Sequence, residues 1–180
     1  MRIHTVGHGT LPADDFTALV RTADLEVVVD VRSYPSSRHN PQYDREAMEA
    51  WLSAGDLTYS WQRELGGRRP ARPDSRHTAL RNDAFRGYAD HMETTEFLAG
   101  VERLLVEATT RDTVVMCSES VWWRCHRRLL ADHLVVVEGI EVVHLMHDGR
   151  ATPHAVTDGA RRDGDTVVYD VGTTGSLDLR

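Results

Sequence analysis

Residues 25–32 read Leu-Glu-Val-Val-Val-Asp-Val-Arg, and this run limits the fold more than any other stretch of the chain. Its valines do not alternate with polar residues, so the strand has no face to turn to water. Such a β-branched run belongs inside a parallel sheet with helices on both faces. Parallel neighbours need helical crossovers, and the chain supplies them. Strand-like runs at 2–6, 25–31, 57–61, 113–116 and 140–147 alternate with helical patterns at 12–22, 44–55, 82–92, 95–108 and 125–137. This order predicts a three-layer α/β domain with a mostly parallel sheet.

Local signals mark several boundaries. Pro12 with Asp14-Asp15 suits a helix start, Asp44 stands at a capping position, and Gly55 and Gly139 stand at stops. Residues 33–42 hold two prolines, three serines and an asparagine and read as a loop. Beyond residue 148 the Gly-, Asp- and Thr-rich sequence predicts short strands with a hairpin. One domain over residues 1–171 and a flexible tail over 172–180 are therefore expected. No apolar run reaches the length of a membrane span and the N-terminus has no signal-peptide pattern, so the expected location is cytoplasmic.

The chemistry is concentrated between Met116 and Arg127, in the sequence Met-Cys-Ser-Glu-Ser-Val-Trp-Trp-Arg-Cys-His-Arg. Both cysteines of the chain lie here, at a predicted strand-to-helix junction where α/β proteins place their ligands. Cys117 ends the strand. Cys125 is expected near the helix start, where the helix end and Arg124 and Arg127 would favour a thiolate. Each cysteine also has a bland reading as a small buried residue. A phosphatase or rhodanese loop fits poorly, because Cys117-to-Arg124 spacing is one residue too long and the turn lacks glycine and carries Glu119. A metal site would draw on Cys117, Glu119, Cys125 and His126, with His8 as a further donor, and zinc or iron would suit it. Against it, paired Cys-x-x-Cys spacing is missing, and adjacent Cys125 and His126 would point about 100° apart on a helix.

Glu119 is a candidate general acid or base, since partial burial beside Val121, Trp122 and Trp123 would raise its pKa. The alternative is a structural carboxylate bridging Arg124 or Arg127. Asp30 and Arg32 carry the same ambiguity. Trp122 and Trp123 serve either to stack a base or as apolar anchors.

Composition narrows the function classes. The net charge is −7, which argues against wholesale duplex binding, and every cationic residue besides histidine is arginine. Schiff-base catalysis by lysine and a P-loop lysine are excluded. One segment departs from the acidic average: residues 63–86 hold seven arginines against three acids. It reads as either a solvated loop or an anion-gripping lid.

Thr5-Val6-Gly7-His8, Asp30-Val31-Arg32-Ser33-Tyr34-Pro35-Ser36-Ser37-Arg38, Tyr59, Leu65-Gly66-Gly67 and Tyr88-Ala89-Asp90-His91-Met92 follow in order. Then come Met116-Cys117-Ser118-Glu119, Cys125-His126-Arg127, Val143-His144-Leu145 and Pro153-His154. In this order the motifs resemble the bacterial and archaeal family catalogued as domain of unknown function 488. One departure is Gly9, where the family usually has serine or threonine after the histidine; Thr10 is the neighbouring hydroxyl. The resemblance implies a small α/β domain with a shared pocket and supplies no reaction.

The combined expectation is an enzyme acting on a small anionic molecule, with nucleotides or base-containing compounds as candidates. Cys117, Glu119, His8 and Asp30 are the expected catalytic groups. Arg32, Ser37, Arg38, Gly66, Gly67, Arg68, Tyr88, Cys125, His126 and Arg127 are the expected substrate-binding groups, under a lid at 66–72. No cofactor is required by this reading. The alternatives are a metal-binding or ligand-sensing module without turnover, and an accessory protein binding single-stranded nucleic acid through the arginine loop and tryptophans.

Overall fold

In the computed structural model, residues 1–170 are described. Five parallel strands and one antiparallel edge strand form a sheet in the order β3-β2-β4-β1-β5-β6. These are β1 (Arg2–Gly7), β2 (Val27–Asp30), β3 (Thr58–Trp61), β4 (Thr113–Cys117), β5 (Glu141–Leu145) and the antiparallel β6 (Ala151–Pro153). Helices α1 (Ala13–Arg21) and α2 (Arg45–Ala54) cover one face. Helices α3 (Asp83–Met92), α4 (Thr95–Ala108) and α5 (Arg127–Val136) cover the other. A separate hairpin, β7 (Ala160–Asp163) and β8 (Thr166–Tyr169), closes the described chain. The expected tail at 172–180 lies outside the described residues.

The unbroken valine run is explained by burial on both sides. Val28 joins Phe16, Leu19, Met48 and Leu52 under α1 and α2. Val27 and Val29 join Phe97, Val101 and Leu104 on the opposite face. β4 divides the same way, with Val114 and Met116 facing one core and Val115 and Cys117 the other.

Caps fix α3 and α4 where the sequence places them. The Asn82 side chain accepts from the Ala84 amide at 2.8 Å, and Thr94 accepts from the Phe97 amide at 3.2 Å. Asp44 does precede α2, but its carboxylate accepts from the Ser37 amide at 2.7 Å and thereby fastens the 33–42 loop.

The expected helix from Cys125 begins two residues later. A short 3-10 turn, Trp122–Arg124, is followed by Cys125 in extended conformation (φ −116°, ψ 153°), and α5 starts at Arg127.

Candidate functional site

β1 and β4 are neighbours, yet their connections run to opposite sides of the sheet. β1 leads through α1 to β2, whereas β4 leads through α5 to β5 on the other face. Between two such strands a crevice opens at their carboxyl ends. The His8 amide donates to the Cys117 carbonyl at 2.9 Å and the Gly9 amide to that of Ser118 at 3.0 Å, extending the ladder into the crevice. A cavity of about 480 Å³ occupies it. Its lining includes His8, Arg32, Cys117, Glu119, Cys125 and His126, together with Ser33, Ser37, Gly67 and Arg68.

At the floor lies a sulfur–imidazole cluster. His126 Nδ1 is 3.6 Å from Cys125 Sγ and 3.9 Å from Cys117 Sγ, and all three atoms lie within 4.8 Å of one another. The extended backbone of Cys125 makes this convergence possible. The 100° divergence expected of adjacent helical residues does not apply, because Cys125 lies outside the helix. Interaction with Cys125, with burial adding to it, pushes the Cys117 thiol up, while the same interaction draws the Cys125 thiol down toward the thiolate. Burial opposes that shift in Cys125; the Arg127 guanidinium and backbone amide assist it.

The His126 ring is held from two sides. Tyr88, fully buried, tilts against it at 4.9 Å between centroids and donates its hydroxyl to the Leu65 carbonyl at 2.9 Å. Gly67 presses on its edge: a Cβ there would come within 2.7 Å of Nδ1. Gly66 meets the same restriction from Ser33, whose Oγ would be 2.5 Å from an added Cβ. Tyr88 and Gly66 therefore shape the site from behind and do not line the cavity.

Asp30 and Arg32 take the structural side of their ambiguity. Arg32 Nε donates to Asp30 Oδ1 at 2.9 Å and Nη2 to Oδ2 at 2.7 Å, while the Tyr59 hydroxyl donates to Oδ2 at 2.8 Å. Asp30 is fully buried and does not line the cavity. Arg32 also donates to the Tyr43 carbonyl and, through Nη1, to His8 Nε2 at 3.3 Å. Of its five N–H groups, one on Nη1 remains for a ligand. His8 Nδ1 donates to its neighbour's carbonyl, Gly9 O, at 2.9 Å, which leaves Nε2 as the acceptor for Arg32. Burial, reinforced by Arg32, lowers the His8 pKa to about 4, so this imidazole is neutral near pH 7.

Glu119 is exposed at the mouth and is not enclosed by the tryptophans as expected; its carboxylate accepts from the Val121 amide at 3.2 Å. Trp122 is instead stacked on His144, 4.0 Å away and 9° from parallel. Arg127, 1% exposed, also belongs to the scaffold. It donates to the Glu119 carbonyl and to Thr5 Oγ1. Thr5 meets His144 at 2.7 Å, His144 meets His154 at 2.9 Å, and His154 donates to Asp132 at 2.9 Å. This buried chain joins the guanidinium to a carboxylate that also accepts from Tyr169.

The arginine-rich segment is pinned down along most of its length. Arg69 pairs with Glu96, Arg72 with Asp90 and Glu93, and Arg76 with Glu93 and Asp163. Of the expected 66–72 lid, Gly67 and Arg68 reach the cavity. Arg68 does so from a left-handed backbone (φ 60°), and strain of this kind concentrates at functional sites. Arg38 is exposed outside the lining, as is Thr10. Gly9 itself is left-handed (φ 54°), with Ser120 Oγ 3.2 Å from where a Cβ would stand. Sequence reasoning missed Arg124, Tyr34 and Phe85 in the lining. Neither Arg68 nor Arg124 has a carboxylate partner among the described residues.

Fold and crevice define a three-layer α/β protein with a polar, thiol-bearing pocket at its topological switch point. The chain belongs to the family described as Domain of unknown function DUF488, whose model matches residues 12–134. Neither the curated proteins nor the solved structures contain a match to it. Among the described residues, no helix is long and apolar enough to cross a membrane.

Proposed function

We propose that this protein is an enzyme acting on a small anionic substrate, with a nucleotide or other base-containing anion as the class that suits the pocket. The division of the cavity carries this reading. Two sulfurs and an imidazole form its floor, Glu119 stands at its mouth, and Arg68 and Arg124 supply cations without carboxylate partners. Guanidinium forks bind phosphate or carboxylate oxygens in pairs. Tyr34 and Phe85 offer aromatic surface to a base. In this scheme Glu119 moves a proton at the solvent-facing side, and the sulfur cluster meets the reacting atom from below.

A thermal-shift series with inorganic phosphate, nucleoside monophosphates and dicarboxylates tests it. Wild-type protein is stabilised by at least one anion. Arg68→Ala and Arg124→Ala each weaken that affinity by roughly ten- to a hundredfold, from about 1.5–3 kcal/mol per charge-assisted contact. Turnover of the bound anion then requires Glu119 and Cys125. If no anion stabilises the wild type, the reading is wrong.

A second reading, a metal-binding or ligand-sensing module without turnover, is favoured by the sulfur–imidazole convergence. Zinc and iron are the ions that such donors suit. It predicts bound metal and bound anion with no product. A cytoplasmic setting accords with two cysteines kept reduced.

A further inference from the structure

We infer that Cys117, Cys125 and His126 form a zinc site whose fourth coordination position opens into the cavity. This deepens the proposal above and rests on the cavity being the working site, whereas capture of the ion requires no turnover.

The sulfur–nitrogen distances fit the ion, and the two sulfurs, within 4.8 Å of each other, close to the roughly 3.8 Å of a tetrahedral site when it binds. Zinc with sulfur at about 2.3 Å and nitrogen at about 2.0–2.1 Å, in tetrahedral arrangement, sets sulfur–nitrogen separations of about 3.5–3.6 Å. The two observed separations are 3.6 and 3.9 Å. Closing on the ion changes them by no more than about 0.4 Å, less than a rotamer change would produce.

The imidazole also lacks better partners. The polar neighbours of Nδ1 are the two sulfurs, which are weak hydrogen-bonding groups, and Nε2 is buried without a partner. Leaving a buried ring nitrogen poorly satisfied costs about 1–3 kcal/mol. Coordination through Nδ1 removes that cost on the side facing the sulfurs. The three donors also come from separately anchored backbone: the end of β4, the extended residue Cys125, and the residue preceding α5. Tyr88 and Gly67 hold the ring in place, so the arrangement is formed in advance.

Two sulfurs with one imidazole select zinc over magnesium or calcium, which take oxygen donors. Among the described residues the cluster holds three donors and no fourth. Glu119 is outside it, with Oε1 on the Val121 amide, and His8 directs its Nε2 to Arg32. All three cluster residues line the cavity. Closed four-ligand sites are structural, whereas three ligands with an open position belong to catalytic zinc. Arg68, Arg124 and Glu119 line the same cavity, so an anionic ligand held there would have its oxygens available to the open position.

The test uses full-length protein prepared without metal-affinity resin, stripped with chelator, incubated with Zn²⁺ alone and desalted. Elemental analysis is expected to give about one zinc per chain. Zinc is also expected to slow iodoacetamide alkylation of both Cys117 and Cys125 in the wild type by at least about tenfold. That protection is read without any variant. Cys117→Ser and His126→Gln, checked for folding by circular dichroism, lower zinc affinity by more than the roughly 10- to 100-fold that loss of an outer partner costs, while Glu119→Gln keeps it. Wild-type protein that retains no zinc and shows no protection of either thiol overturns the inference. So does preferential retention of iron when both ions are offered, or loss of zinc in Glu119→Gln. Phosphate thermal shifts on the stripped and loaded protein separate the two claims. Anion binding by a protein that takes up no zinc would refute the metal site alone, and zinc uptake without any anion response would refute the anion pocket.

Discussion

Asp30→Asn separates a structural carboxylate from a catalytic one. Four donors converge on the Asp30 carboxylate: the Arg32 amide, Arg32 Nε and Nη2, and the Tyr59 hydroxyl, at distances from 2.7 to 3.1 Å. An amide group puts a donor where one of them needs an acceptor and removes the charge that neutralises Arg32. Arg32 is 5% exposed, so little of its guanidinium can exchange the lost carboxylate for water. Breaking a buried pair from one side costs about 3–5 kcal/mol. For a domain of this size that lowers the melting temperature by roughly 6–20 °C. Urea unfolding followed by circular dichroism measures the loss. Arg32→Gln added to Asp30→Asn should return part of it, with a coupling of about 0.5–3 kcal/mol. A stable Asp30→Asn protein, within about 0.5 kcal/mol of wild type but devoid of anion binding or turnover, would refute the structural assignment.

Three other outcomes follow from the geometry. His144 is held neutral, with a pKa pushed down from 6.5 to about 3 by burial first and then by His154 and Arg127. The unfolded chain takes up this proton at higher pH than the folded one. The contribution is therefore present in full above pH 6.5 and is lost as pH falls toward 3, by about 4–5 kcal/mol in all, and His144→Gln should flatten the pH dependence of urea midpoints. Asp132, which faces His144 through His154, stays in place in that comparison. Gly67→Ala sets a Cβ 2.7 Å from His126 Nδ1, so the ring must shift by several tenths of an ångström. Overpacking of that kind costs about 1–3 kcal/mol in unfolding assays, and the shift weakens zinc retention. Arg68→Gly relieves a left-handed backbone (φ 60°), so stability stays level or rises by up to about 1 kcal/mol while anion affinity falls. A large stability loss would mean that Arg68 belongs to the scaffold.

Much of the fold was legible because burial on two faces leaves its own pattern. The valines of β2 and the capped starts of α3 and α4 fell where local residues put them. The start of α5 was not legible. His126 caps it without a side-chain hydrogen bond, and the apolar spacing from Cys125 to His133 runs through the junction unmarked. That one displacement decided the cluster, since an extended Cys125 lets both its sulfur and the next imidazole reach one point. The arginine segment was ambiguous for another reason. Asp90 of α3, Glu93 at the C-terminal cap of that helix, Glu96 of α4 and Asp163 of β7 pair with it, and local sequence does not register such partners. Glu119 misled through its neighbours: Trp122 turns away to stack on His144 and leaves the carboxylate exposed.

The convergence of Cys117, Cys125 and His126 on one point of the pocket is tested most directly by X-ray absorption at the zinc edge of the reconstituted protein. The expected first shell holds two sulfurs at about 2.3 Å and two lighter atoms at about 2.0–2.1 Å, one of the latter exchanging when phosphate is added. A first shell without sulfur would contradict the site, as would one with four protein donors unaffected by phosphate.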